Sequence, residues 1–175
     1  MTIQVIERKD VSEEDYANLA AALRFAQDSR DLSTQNGACL VNEEGDMTFG
    51  SNDLAYPLKE TDERLERPLK HAWTEHAERS AIYRAARSGT FTDYSTLYCP
   101  WYACADCARA IVYSGITRVV GLKAMFDGTP KSWKESVALG FEILEEARVK
   151  TVLLDVYYGP EVVPKLRFNG KAVQF

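Results

Sequence analysis

The chain has 175 residues, of which 46% are hydrophobic and 27% charged, with a formal net charge of −5. The length suits one domain over residues 1–175, and the acidic balance disfavours a broad DNA- or RNA-binding surface. No apolar run approaches the roughly 20 residues of a membrane span, and residues 1–10 lack an export signal. The four cysteines are therefore expected to be reduced thiols or metal ligands of a cytoplasmic protein.

Hydrophobic periodicity and turn signals predict the elements of the first half of the chain. They are, in order, a helix at residues 12–29, strands at 37–42 and 47–52, and a long polar loop at 53–74. The loop contains Pro57 and Pro68 and allows at most a short helix. Loops of this length in compact domains often carry function.

The second half predicts strict alternation of helices and strands. The order is a helix at 75–87, a strand at 95–99, a helix at 104–113, a strand at 117–122, a helix at 131–147 and a strand at 150–154. The helix at 131–147 is amphipathic, with an apolar stripe that includes Trp133 and Phe141, and this favours core packing for both. Residues 155–175 are expected to form a C-terminal extension packed on the domain. Alternation of this kind predicts a mixed sheet with helices on both faces.

Two short motifs carry chemistry, and both fall at predicted helix starts. His76-Ala77-Glu78 precedes Cys104-Ala105-Asp106-Cys107, whose two cysteines share one helix face. One His and two thiolates can hold zinc and leave the fourth tetrahedral position open for water, whose pKa then falls to roughly 7. Glu78 can move the protons. Together these motifs are typical of zinc-dependent deaminases of nucleobases.

A purely structural zinc site is the alternative, because such sites use four protein ligands. Cys39 or Cys99 could supply the fourth, but both lie in apolar strand contexts where buried free cysteines are common.

The chain resembles the cytidine deaminase-like superfamily, most closely its deoxycytidylate (dCMP) deaminase branch. The resemblance covers about residues 12–122 and is carried by the motifs at 31–38, 50–52, 76–82 and 104–116. It implies a three-layer α/β/α sandwich around a five-stranded mixed sheet, one zinc ion per subunit and a homo-oligomer. It also implies that His76, Cys104 and Cys107 bind the metal and that Glu78 is catalytic.

Four residues are predicted to contact the substrate. The resemblance assigns such contacts to Asn52, which follows the second strand, and to Ala77 beside the metal ligand. Trp101 and Tyr102 precede the cysteine motif, where aromatic rings can stack on a base, although core packing explains them equally well.

The chain departs from the family pattern at several positions. Ala103 stands where the family has proline before the first ligand cysteine, which removes a fixed φ but no ligand. Asp28 stands where the dCMP branch usually has arginine, and an acid there would repel a phosphate. The basic loop residues Arg64, Arg67, Lys59 and Lys70 could meet a phosphate, but acids alternate with them, which favours a solvated charged loop.

The main hypothesis is a hydrolytic deaminase of a free cytosine nucleotide, acting on a C–N bond of a cyclic amidine and releasing ammonia. A second is a deaminase of the same fold that acts on a nucleoside, free base or other amino-heterocycle. An RNA-editing deaminase and a non-catalytic zinc module are less favoured, and no DNA or membrane partner is expected.

Overall fold

The computed structural model describes residues 3–31 and 33–175. Leu32, within the motif at 31–38, lies outside the described residues, as do Met1 and Thr2 of the predicted domain. The strands of the main sheet are β1 (Gln4–Glu7), β2 (Gly37–Val41), β3 (Met47–Ser51), β6 (Thr96–Tyr98), β7 (Arg118–Leu122) and β8 (Lys150–Asp155). Two small two-stranded sheets pair β4 (Asp53–Leu54) with β5 (Thr74–Glu75) and β9 (Leu166–Phe168) with β10 (Lys171–Val173).

The main sheet is mixed, with the order β1-β8-β7-β6-β2-β3. β6, β7, β8 and β1 run parallel, while β2 pairs antiparallel with both β3 and β6. The α/β class is confirmed, but the prediction of five strands is wrong, because β1 adds a sixth beside β8. β1 is only four residues long and mostly exposed, so its sequence carries little of the apolar pattern that marks a strand.

Helices cover both faces of this sheet. The helices of the domain are α1 (Glu13–Phe25), α4 (Ala77–Ser88), α5 (Ala105–Tyr113), α6 (Lys123–Asp127) and α7 (Lys131–Glu146), and two short ones, α2 (Asp62–Leu65) and α3 (Lys70–Trp73), lie in the connection between β4 and β5. α4, α5 and α7 bury their apolar sides against one face of the sheet, and α1 packs on the other with the C-terminal segment. Side chains of successive strand residues alternate between these two cores, as the pleat requires: Leu40 joins one and Cys39 the other.

No helix among the described residues is long and apolar enough to cross a bilayer.

The predicted loop at 53–74 contains α2, α3 and the small strands β4 and β5. It connects the end of β3 to the start of α4, and its last residues lead directly into His76. The loop therefore borders the edge of the sheet at which β6 ends.

Candidate metal centre and substrate cavity

Two helix starts meet at this edge of the sheet. His76 is the N-cap residue of α4, and Cys104 is the N-cap residue of α5. α4 lies directly against β3 because Gly50 has no side chain: a Cβ there would come within 2.2 Å of the carbonyl oxygen of Ala77. The sequence thus fixes the depth at which α4 delivers its first residues.

His76, Cys104 and Cys107 form a compact group of metal-ligand type. The Nδ1 atom of His76 lies 3.6 Å from the Sγ of Cys104 and 3.5 Å from the Sγ of Cys107. The two sulfur atoms are 3.6 Å apart. Three ligands of a tetrahedral zinc ion lie about 3.5–3.8 Å from one another when the usual Zn–S and Zn–N bond lengths apply. The residues therefore fit zinc in both donor type and spacing.

The two thiols share one hydrogen bond, which shifts their pKa values in opposite directions. The hydrogen bond with Cys107, together with that of His76, lowers the pKa of Cys104 to about 3 although burial opposes the shift. The pKa of Cys107 rises because it shares that hydrogen bond and is buried. The positive ends of two helices and a bound divalent cation would favour the thiolate form of both.

Arg79 lies behind this group on the first turn of α4. Its Nη1 atom donates to the Sγ of Cys107 at 3.3 Å, and its Nε atom donates to the carboxylate of Glu75 at 2.6 Å. Such outer contacts orient metal ligands and balance thiolate charge. The sequence motifs did not predict a role for Arg79. Its position directly after Glu78, in the first turn of a helix that carries a metal ligand, is the pattern that indicates one.

Glu78 is almost completely buried, with 2% of its surface exposed. Burial raises the pKa of its carboxyl group, although the positive charge on His76 opposes this. A carboxyl group with a raised pKa can both accept and return a proton near neutral pH. Glu78 lines the same cavity as His76 and Cys104.

The described residues do not support a four-ligand structural site. The metal-ligand group among them consists of His76, Cys104 and Cys107. Cys39 belongs to the core on the opposite face of the sheet. The thiol of Cys99 donates to the carbonyl of Trp101 at 3.1 Å and accepts from the side-chain amide of Asn36 at 3.2 Å.

A cavity with two adjoining compartments opens beside the metal group. The inner compartment contains Glu78 and two of the metal-ligand residues, His76 and Cys104. Its full lining is Asn36, Asn52, His76, Glu78, Trp101, Tyr102, Cys104, Trp133 and Val137. The outer compartment shares Asn52, His76, Trp101 and Trp133 with it and adds Asp31, Thr34, Arg67, Lys70, His71, Thr74 and Asn169. A ring held in the inner compartment would thus project its substituent into the outer one.

Asn52 lies on the boundary between the two compartments. Its Oδ1 atom accepts the backbone N–H of Ala77 at 3.0 Å, and its Nδ2 atom donates to the carbonyl of Thr34 at 3.1 Å. One amide hydrogen and one oxygen lone pair remain available to a substrate. Ala77 is fully buried and its N–H is engaged by Asn52, so its predicted substrate contact would require that bond to open.

Of the two predicted aromatic contacts, Trp101 lines both compartments, with its indole N–H bonded to Thr129 at 3.2 Å. The ring of Tyr102 stacks on Phe141 at 4.3 Å and is buried, although it also lines the inner compartment.

Trp133 was expected to serve only the core. It is instead half-buried, lies 5.5 Å from the ring of His76 and lines both compartments.

The outer compartment is lined by basic residues that sequence reasoning assigned to solvent. Lys70 is only 5% exposed, and its ammonium group lies 2.8 Å from both carboxylate oxygens of Asp31. Arg67 and His71 line the same compartment but are exposed, in line with the predicted solvated loop. Burial and the charges of Lys70 and Arg67 lower the pKa of His71, which reflects the positive field at this site. Asp28 is exposed and lines neither compartment.

A family model described as "Cytidine and deoxycytidylate deaminase zinc-binding region" matches residues 12–123. The matched region includes the metal group and Glu78. Together with the donor set and its spacing, this match makes zinc the cofactor of the centre.

Two curated proteins illustrate the similarity. The deoxycytidylate deaminase of Homo sapiens is 31% identical over 110 residues, which are 58% of this chain and 60% of that protein. The chain thus spans about three-fifths of the length of that relative. The probable deoxycytidylate deaminase of Drosophila melanogaster is 28% identical over 174 residues, covering 90% of this chain and 85% of that protein.

The fold also matches a solved structure. The dCMP deaminase from the cyanophage S-TIM5 in its apo form superimposes with a TM-score of 0.63 at 22% sequence identity. The superposition covers 83% of this chain and 100% of the cyanophage chain. At this identity the similarity establishes the shared architecture.

Proposed function

The chain belongs to the cytidine and deoxycytidylate deaminase family, and from that premise we propose that it is a zinc-dependent hydrolytic deaminase of a free cytosine nucleotide. One observation supports the reaction type: Glu78 lines the same inner compartment as His76 and Cys104 of the metal group. A ring bound in this compartment would then face both Glu78, as the proton carrier, and the metal group, as the site of a Lewis acid. We also place the reaction in the cytoplasm, where thiolate ligands stay reduced.

The proposed reaction is a hydrolysis. When bound, zinc supplies Lewis acidity that makes water a better nucleophile at neutral pH. The carboxylate of Glu78 takes the proton that the attacking water loses and passes it to the ring nitrogen beside the reacting carbon. Glu78 then returns the remaining hydroxyl proton to the departing amino group. The C–N bond breaks, ammonia leaves and a ring carbonyl remains, with no net oxidation or reduction.

The inner compartment suits a flat heterocycle. Trp101 and Trp133 line it with aromatic surface, and Val137 adds an apolar contact. Asn52 retains one donor and one acceptor there to read a polar edge of the ring. Deaminases commonly hold a base between aromatic or apolar groups and bond to its polar edge.

The outer compartment favours a nucleotide over a nucleoside. Arg67, Lys70 and His71 line it, and its one carboxylate, Asp31, is already engaged by Lys70 and by the N–H groups of Ser33 and Thr34. Asp28, whose charge argued against a phosphate, is not part of this lining. Because Asp31 and Lys70 neutralise each other, the net positive charge of the lining comes from the exposed guanidinium of Arg67, which would attract a phosphate joined to the ring through a sugar.

An ammonia-release assay of the zinc-loaded protein on cytosine, deoxycytidine and dCMP tests this proposal. We expect kcat/KM to be greatest for dCMP, and Glu78→Gln to lose at least about 10²-fold in kcat while it keeps its zinc. Glu142→Gln, on the exposed side of α7, is the matched control. Equal turnover of deoxycytidine would refute the nucleotide assignment, and full activity of Glu78→Gln would refute the catalytic one.

We further propose that the protein is a homo-oligomer. Three large aromatic side chains are exposed at the edge of the domain away from the cavity: Phe91 (77%), Tyr94 (68%) and Tyr113 (92%). Their backbone segments are joined by the hydrogen bond from Tyr94 N to Gly115 O at 2.9 Å. Exposed apolar surface of this kind often marks a protein interface. Light scattering at micromolar concentration tests this, and a mass of 19.7 kDa would contradict it.

A further inference from the structure

The C-terminal hairpin lies outside the region that the family model matches, yet its tip lines the outer compartment. β9 and β10 are joined by Asn169-Gly170, whose φ angles are 52° and 76°. Two positive φ angles are the mark of a type I′ turn, for which Asn-Gly is a preferred sequence. The dipeptide was the available sequence signal for this hairpin. Asn169 is thereby held at the mouth of the cavity.

The hairpin is fastened to the segment that precedes β2. The backbone N–H of Gln35 donates to the carbonyl of Arg167 at 2.9 Å, and the N–H of Gly170 donates to the carbonyl of Ser33 at 2.8 Å. The side chain of Gln35 accepts the N–H of Arg167 at 2.9 Å. These bonds flank the tip of the hairpin, so its position relative to the cavity is fixed by backbone contacts.

The hairpin also supports an aromatic wall of the cavity. Phe168, beside the tip, is buried and meets Trp101 edge to face, with ring centroids 5.4 Å apart. The N–H of Asn169 donates to the hydroxyl of Thr34 at 3.3 Å, and Thr34 lines the outer compartment as well. The tip of the hairpin is therefore in contact with two residues that line the cavity, Trp101 and Thr34.

We propose that the side-chain amide of Asn169 donates a hydrogen bond to the phosphate of the bound nucleotide and so determines specificity. This rests on the proposed function. The amide is a neutral donor in a compartment whose exposed cation, Arg67, would attract the phosphate. The charge of Lys70 is already neutralised by Asp31, so exposed donors such as Arg67 and Asn169 are the ones left to meet a phosphate. The C-terminal hairpin is then part of the substrate site.

Two substitutions separate this role from the conformational role of Asn169 in the turn. Asn169→Gly removes the amide but keeps the positive φ, which glycine adopts readily. Asn169→Asp also tolerates the turn but places a negative charge at the rim. Lys171→Ala, on the exposed part of β10 and outside the cavity lining, is the matched control for charge and hairpin stability.

Steady-state kinetics of the zinc-loaded proteins with dCMP and deoxycytidine provide the test. We expect Asn169→Gly to raise the KM for dCMP about 10- to 150-fold with kcat within about twofold, because a hydrogen bond to a charged group is lost. Asn169→Asp should raise it further, and Lys171→Ala should leave it unchanged. The KM for deoxycytidine should stay within about twofold in all three.

Each other outcome overturns a distinct statement. If both Asn169 variants keep the wild-type KM for dCMP, the inference on Asn169 fails while the deaminase assignment stands. Equal increases for dCMP and deoxycytidine would show that Asn169 does not read the phosphate. Because Trp101 and Trp133 line the cavity, their fluorescence also reports dCMP binding without turnover. A wild-type protein that neither binds nor deaminates dCMP overturns the proposed function and this inference together.

Discussion

The guanidinium group of Arg79 donates a hydrogen bond to the Sγ of Cys107 at 3.3 Å while it is held by the carboxylate of Glu75. α4 thus brings a positive charge to Cys107 from the residue that directly follows Glu78. Two thiolates and zinc leave a neutral sum, and His76 adds no charge when it binds as a neutral imidazole. Arg79 adds a further positive charge that stabilises the thiolate form.

Removing this contact should weaken zinc binding. We expect Arg79→Gln to lower zinc affinity about 10- to 100-fold, because the thiolate loses a charged hydrogen-bond donor. Competition with a chromogenic chelator measures the affinity directly. Arg109→Gln is the control, since Arg109 is exposed on α5 and pairs with Asp106. Equal zinc affinity of wild type and Arg79→Gln would show that Arg79 only holds Glu75.

The close contact of β3 with α4 leads to a second prediction. A Cβ at Gly50 would lie 2.2 Å from Ala77 O and 2.4 Å from Ala81 N, both backbone atoms of α4. We expect Gly50→Ala to destabilise the fold by about 1–3 kcal/mol or more and to lower activity, because α4 must move with His76 and Glu78.

The measurements are the denaturant midpoint and kcat/KM, with Gly159→Ala as the control. A Cβ at Gly159 would meet only the carboxylate of Glu161, a flexible side chain that can turn away. If Gly50→Ala proved as stable as Gly159→Ala, the contact between β3 and α4 would be less rigid than the distances imply.

Trp133 should contribute to substrate binding. It lines both compartments and lies beside His76, so we expect Trp133→Leu to raise the substrate KM about 5-fold or more without loss of zinc, in line with ~1–3 kcal/mol for aromatic–base stacking. Trp73→Leu is the control, because Trp73 stacks under Arg64 away from the cavity. Steady-state kinetics and metal content together decide the matter. Loss of zinc in Trp133→Leu would assign Trp133 to support of His76 instead.

A buried ion pair predicts a pH-dependent stability. The two guanidinium nitrogens of Arg118 donate to the two carboxylate oxygens of Asp15, each at 2.7 Å, and Tyr98 donates to the same carboxylate at 2.9 Å. Burial raises the pKa of Asp15, but Arg118 and Tyr98 outweigh it and lower the pKa below its ordinary 3.8. The carboxylate therefore stabilises the fold above pH 3.8, and this contribution is lost as the pH falls through the lowered value.

We expect Asp15→Asn to cost about 1.5–3 kcal/mol of unfolding free energy at pH 7, because a charged hydrogen-bond acceptor is lost. The difference from wild type should shrink steadily as the pH is lowered below about 4. Urea unfolding of both proteins in the presence of a chelator measures this without the effect of zinc release. A difference that stayed constant down to pH 2.5 would contradict the assignment.

The sequence predicted the parts of the site that depend on short spacing. Cys104 and Cys107 share a helix face because they are three residues apart, and His76 and Glu78 flank one helix start. These local patterns, with the family motifs around them, gave the donor set for zinc and the family, which the comparisons confirm. The α/β class followed from the alternation of strands and helices and is confirmed as well.

What lines the cavity was decided by contacts between segments far apart in the chain. Lys70 was predicted to be solvated because acids surround it in sequence, but the fold buries it against Asp31. Trp133 belongs to a helical apolar stripe, yet its end of α7 reaches the cavity. β1 becomes a strand only because the edge of β8 is available to it.

The chain by itself therefore determined the spacing within each motif, because residues one turn apart on a helix keep that spacing wherever the helix forms. The meeting of His76 with Cys104 and Cys107 depends on how α4 and α5 pack on the sheet. The tertiary structure alone decided which side chains surround the substrate. Asn169 and Thr34, whose contact lines the outer compartment, are 135 residues apart in the chain. No local pattern encodes such a contact, because it depends on how the sheet edge, the 53–74 loop and the C-terminal hairpin pack together.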